Sequence, residues 1–271
     1  MGPKPQKQCI FCDNPVHSKE HLWSEWMHEL LPQLPDPRHD RKIITDHPKE
    51  GRREAGIKAR QGHLHTIKIR AICEPCNNDW MSKLEGQVRP LLTPIITGSP
   101  VALDFEQMAV IAQWIALKCI VSEHSSPNVS VTPRHERVEF RNHGTIPDYF
   151  RIYVANHNMK GAAGYMRHSF CMSREGPAPD PPLMGSPNNV QTITFVLGRV
   201  FVHLNAARVN GYTIESRHII QPFHGQCRIW PFQHYEMVWP RRPLIDQSGM
   251  SLVANTLDTI KDAANITWTD S

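Results

Sequence analysis

Leu22, Trp26 and Leu30 recur at i, i+4 and i+8, the spacing of one face of a short amphipathic helix, and Pro32 and Pro35 end it. From Leu34 to about Gly62 proline, glycine and charge dominate without a steady period, which predicts a long loop or excursion. Leu64, Ile67, Ile69 and Ala71 then alternate, imperfectly, with His65, Lys68 and Arg70, the period-two pattern of a strand leading into Cys73. Past Cys76, the residues Trp80, Met81, Leu84 and Val88 mark the core face of a helix, with Asn77 or Asn78 as its cap and Pro90 and Pro94 as its close.

The Gly98-Ser99-Pro100 cluster predicts a domain boundary, and Asp104 is the expected N-cap of a helix that buries Met108, Ile111, Ala112, Ile115 and Cys119. Residues 150–155, 165–172, 190–197 and 200–204 read as strands, the last two joined as a hairpin at Gly198-Arg199, so a mainly antiparallel sheet is expected. Trp230-Pro231 and Trp239-Pro240 predict extended aromatic packing, and Leu244 to Ile260 a last amphipathic helix. No internal repeat is visible.

This order of elements predicts an α+β protein in two domains, residues 1–98 and 99–271, since 271 residues exceed one typical domain. The 23 prolines, spread over many short segments, favour a loop-rich α+β architecture over a helical bundle. The longest apolar run, Val110 to Val121, is interrupted by Gln113 and Lys118 and is too short to span a bilayer, which predicts a buried helix and no membrane partner. The polar, proline-broken start at Met1-Gly2-Pro3-Lys4-Pro5 has no apolar segment behind it, so a cytoplasmic protein is expected.

Net charge is only +4, which permits a polyanionic partner without requiring one. Its distribution is more informative. Between Arg38 and Arg70 ten basic residues, among them Arg52, Arg53, Lys58, Arg60 and Lys68, meet only Asp40, Asp46, Glu50 and Glu54. Such a stretch is either a solvated loop or a track for a phosphate backbone.

Of seven cysteines, four form two close pairs, Cys9-x-x-Cys12 and Cys73-x-x-Cys76, and without a secretory signal such pairs point to metal rather than disulfides. Four thiolates in two knuckles close a tetrahedral zinc site and leave no open position for catalysis, so this zinc is a scaffold. Sixty residues separate the pairs, far more than in a plain zinc ribbon, and the insertion carries Glu20-His21. Cys119, Cys171 and Cys227 lie in or beside apolar segments and read as buried, unreactive thiols.

Cys9-x-x-Cys12, Ser18-Lys19-Glu20-His21, Trp26 and Cys73-x-x-Cys76-Asn77-Asn78-x-Trp80-Met81-x-x-Leu84-Glu85 together resemble a branch of HNH endonucleases found as stand-alone proteins in actinobacteria and their phages. The resemblance covers about residues 9 to 97 and implies a treble-clef (ββα-metal) zinc domain followed by a mainly antiparallel α+β domain for target grip or self-association, with a homodimer as one option. A looser likeness, through Ala112-x-Trp114, Arg228-x-Trp230-Pro231 and Trp239-Pro240, extends into the remainder.

The resemblance also implies roles. His21 matches the general base, Glu20 the acidic neighbour that holds a catalytic divalent cation (magnesium or manganese), and Asn77 the second position on that cation. DNA is the implied partner, with RNA an alternative substrate. The sequence departs from the family at Lys68, which falls where many members carry the middle asparagine of the triad. A lysine cannot accept a hydrogen bond from a histidine N–H. His65, Asn78 or a backbone carbonyl would have to orient His21 instead, and an inactive zinc-stapled DNA- or protein-binding module is the rival expectation.

Overall fold

The computed structural model describes residues 7–17, 19–31, 38–39, 43–47, 51–55, 60–61, 67–157, 163–170, 188–209, 228–240 and 244–257. Strand β1 (Glu20–His21) is followed by a 3-10 turn, Glu25–Glu29, where a longer amphipathic helix is expected. Tertiary packing decides the difference. Trp23 is buried against Phe195, with ring centroids 4.7 Å apart, and lies edge-on to Tyr165, which draws the chain away from a continuous helix.

The stretch expected as a loop contains β2 (Arg38–His39), β3 (Ile43–His47), β4 (Gly51–Ala55) and β5 (Arg60–Gln61). β3 and β4 pair as an antiparallel hairpin, and β2 pairs with β5. β6 (Lys68–Ile69) follows, as the alternation of Ile67 to Ala71 predicts, and pairs antiparallel with β1.

From Cys73 one helical path runs through α1 (Glu74–Cys76), a π turn (Asn77–Met81) and α2 (Ser82–Thr97). Cys73, in extended conformation, is the N-cap, so Asn77 and Asn78 lie inside the helix rather than capping it. Pro90 and Pro94 also sit inside α2 instead of closing it. An interior proline costs ~3 kcal/mol, whereas the opposite face buries Val88, Leu92, Ile95 and Ile96 at ~1.5–3 kcal/mol each. Burial wins. Gly98, at φ 82°, ends the helix in the left-handed conformation that glycine adopts without strain.

β7 (Val101–Asp104) leads into α3 (Phe105–Glu123), capped by Asp104 as expected: its side chain accepts from Gln107 N at 2.9 Å, and the Gln107 side chain accepts from Asp104 N at 3.0 Å. α3 is long and apolar enough to span a membrane by length and composition, but 67% of that span is buried inside the protein. α4 (Arg134–His143) precedes β8 (Phe150–Asn156), β9 (Ala163–Phe170), β10 (Val190–Leu197) and β11 (Val200–Ala207). β12 (Arg228–Trp230), β13 (Glu236–Trp239) and α5 (Gln247–Ala254) complete the described elements.

One seven-stranded sheet, in the order β12-β8-β11-β10-β9-β3-β4, organises the molecule and is antiparallel except where β3 meets β9. The period-two pattern divides its faces. Ile152, Ile193, Phe195, Val202 and Leu204 join the core shared with α3, while Tyr153, Val196 and Phe201 pack under Met250 and Val253 of α5. The β10–β11 hairpin turns at Gly198-Arg199, as the sequence predicts. Gly198 combines φ 59° with so close an approach to α2 that a Cβ would lie 2.4 Å from the Ile96 carbonyl. The described residues on both sides of position 98 therefore share one sheet and one apolar core, which runs from Cys9 to Trp239.

Candidate active site and metal centre

The β1–β6 pair sets Glu20 opposite Ile69 and His21 opposite Lys68, and the ladder continues where Leu22 N donates to Ile67 O at 2.8 Å. Ile10 N donates to Ala71 O at 3.0 Å, which brings the first cysteine knuckle alongside the second. The Sγ atoms of Cys9, Cys12, Cys73 and Cys76 all lie within 4.8 Å of one another, with Cys12–Cys73 at 3.5 Å and Cys12–Cys76 at 3.6 Å. Four sulfurs on a tetrahedron with bonds of ~2.3 Å stand ~3.8 Å apart. The donor set and its spacing therefore fit one zinc ion, and Cys9, Cys73 and Cys76 are buried as a structural site requires.

Because Cys76 is pinned in this cluster, the first turns of the helix project Asn77 toward β1. Glu20, His21, Ser24, Glu25, Asn77, Asn78, Ser82 and Glu85 line one open cavity of ≈ 210 Å³. The three residues singled out from the sequence, Glu20, His21 and Asn77, thus converge. Glu20 is only 7% exposed. Burial raises its pKa above the ordinary 4.5; Lys118 opposes this by charge, Glu85 reinforces it, and hydrogen bonds from Lys118 and Asn77 oppose it. A carboxylate only accepts, so the Asn77 amide donates through its nitrogen and keeps its oxygen available.

Burial is also the main reason that the His21 pKa lies below 6.5, followed by the positive charges of Lys68 and His28, against an opposing pull from Glu25. His21 is thereby biased toward the neutral imidazole. Its Nδ1 is buried without a hydrogen-bond partner among the described residues, so none of them orients the ring through that nitrogen. His65 lies outside the described residues, and Asn78 lines the cavity. The His28 ring stands 5.4 Å from His21, centroid to centroid.

The sequence did not single out Lys118, which is 1% exposed among the buried apolar residues Ile115 to Val121 of α3. Its Nζ lies 2.7 Å from Glu85 Oε1 and 3.6 Å from Glu20 Oε1, beneath the cavity. Ser24 Oγ donates to the same Glu85 oxygen at 2.6 Å. Its only signal in the sequence is a lone charge inside a run of apolar positions. Glu85 stood in the recognised motif without a role.

Among the basic candidates, Lys68 is exposed on β6, Arg52 and Arg53 lie on β4, Arg60 lies on β5, and Lys58 falls outside the described residues. Cys119 is fully buried and its thiol is pushed well up by burial, as expected of an inert cysteine; Cys171 and Cys227 lie outside the described residues. Compared with known proteins, the chain matches no family model, and no curated protein and no solved structure matches it significantly.

Proposed function

We propose that the chain is an HNH-type endonuclease that hydrolyses phosphodiester bonds of DNA, with zinc on the four cysteines as scaffold in a treble-clef (ββα-metal) unit. The observation that carries this reading is the convergence of Glu20, His21 and Asn77 on one open cavity beside four clustered sulfurs. Neutral His21 takes a proton from a water molecule as its oxygen bonds to phosphorus and the bond to the leaving oxygen breaks. Depression of the His21 pKa keeps the base unprotonated near neutral pH. Glu20 and the Asn77 amide offer hard oxygen donors, and a magnesium or manganese ion held there would stabilise charge on the leaving oxygen.

A second reading, a non-cleaving zinc-stapled binding module, draws on the ammonium of Lys118 at the Glu20 carboxylate and on Lys68 opposite His21. One comparison separates the two. Purified protein should cleave plasmid DNA with magnesium or manganese and stop with EDTA, and His21→Ala should lose cleavage by about a hundredfold or more while keeping zinc and DNA affinity. Absence of metal-dependent cleavage of duplex, single-stranded and RNA substrates by wild-type protein would leave the binding module as the better reading.

A further inference from the structure

We propose that Lys118 sets the cation affinity of the cavity: its ammonium, shared by Glu20 and Glu85 at the cavity floor, competes with a divalent cation for Glu20. This rests on the reading of Glu20 as a ligand of that cation. Three contacts define the geometry: Glu85 Oε1 at 2.7 Å, Glu20 Oε1 at 3.6 Å and the face of Trp114, whose centroid is 5.8 Å away.

The trio as a whole adds little net stability. Burying an ammonium carries a desolvation cost that its ion pairs roughly offset, and replacing all three charged groups by apolar side chains is often neutral or stabilising, whereas removing Lys118 alone leaves the buried Glu20 carboxylate uncompensated. What Lys118 supplies is charge and direction at a site where two carboxylates face one cavity. With Glu20 and Glu85 ionised, the trio carries one net negative charge instead of two. The carboxylates stay in register although nothing else among the described residues brings positive charge so close to both.

Lys118 cannot withdraw to solvent, because its side chain is fully enclosed. A divalent cation arriving at Glu20 therefore meets a carboxylate already shared with a resident cation, and its affinity is correspondingly lower. Glu85, closer to Lys118 and anchored by Ser24, keeps the ammonium occupied and limits that competition. The two residues consequently act on cation affinity with opposite signs, Lys118 lowering it and Glu85 raising it.

The test is manganese binding by calorimetry to zinc-loaded, full-length protein, with zinc content and circular dichroism as checks on folding. Lys118→Met should bind manganese about tenfold more tightly than wild type, Glu85→Gln about tenfold more weakly, and Lys118→Arg within about threefold. Thermal stabilisation by manganese should follow the same order. If Lys118→Met fails to fold, the direction of Glu85→Gln decides. Unchanged affinity in the variants, or shifts of the same sign, would overturn the inference while leaving the metal-dependent reading intact. Binding to Lys118→Met but not to wild type would support the inference and sink that reading, and binding to neither would sink both.

Discussion

Across the β1–β6 ladder Lys68 and His21 are direct partners, and opposite residues of an antiparallel pair share a face. The position that carries an asparagine in many HNH nucleases thus holds a cation that acts on His21 by charge. After burial, Lys68 is the largest cause holding the His21 pKa below 6.5. A depressed histidine pKa means that the unfolded chain binds the proton more readily, so stability is lost as pH falls below 6.5 toward the lowered value. At saturating metal, Lys68→Asn should move the acid limb of kcat/KM upward toward 6.5 and, by restoring an amide, leave the alkaline plateau equal or higher. A pH–rate profile with an unmoved acid limb would remove Lys68 from the control of His21. The cysteines were legible in the sequence because their spacing pairs them, and Glu20, His21 and Asn77 through the family resemblance of the motifs around those pairs. Glu85 and Lys118 were not, since they meet across 33 residues through helix packing that no local pattern encodes.

At the scale of elements, the capped α3 and the apolar spacing that opens α2 were legible, whereas the point where α2 ends was not. Asp104 and Gln107 close a capping box on α3 that the sequence announces. Asp104→Ala should cost about 1 kcal/mol in denaturant unfolding with an unchanged m-value; a change below the error of the measurement would mean that packing alone fixes the helix start. The prolines of α2 mislead because the burial that offsets them comes from the sheet and α3. β3 and β4 hide for a different reason. Backbone pairing, parallel to β9 for β3, makes the strands; β3 sets Ile43 beside Ile44 instead of alternating, and β4, Gly-Arg-Arg-Glu-Ala, is too charged to show an apolar alternation. Arg52 and Arg53 on β4 belong to the basic stretch that is either a phosphate track or a solvated segment. Changing both to alanine should weaken duplex DNA binding and lower the slope of log K against log salt by about 2. An unchanged slope would make the hairpin an ordinary solvated edge.

For the whole molecule, the question is how firmly the cysteine cluster is tied to the sheet. Phe11, beside Cys12, packs edge-on to Trp80 at 5.0 Å, and Trp80 lies 6.0 Å from Phe140 of α4. From the same helix Arg137 Nε donates to Ile10 O at 3.0 Å and Arg134 Nη1 to Cys9 O at 3.2 Å, so two guanidinium groups hold the backbone of the first knuckle. The exposed Arg134–Asp13 pair at 2.6 Å adds little, because solvent screens it. Zinc binding contributes folding energy on the order of 10 kcal/mol in small zinc peptides, and with zinc on the cysteines these contacts would couple it to residues far along the chain. Zinc-loaded protein should therefore unfold in one transition, with tryptophan fluorescence and calorimetry coinciding. Cys73→Ser should lower that whole transition rather than a separate N-terminal one. Arg134→Ala with Arg137→Ala should remove about 2–4 kcal/mol through the lost charged hydrogen bonds and split the melt, the knuckles now opening first. Two transitions in the wild-type protein, or a double variant that still melts as one unit at the wild-type temperature, would show that α4 does not couple the cysteine cluster to the sheet.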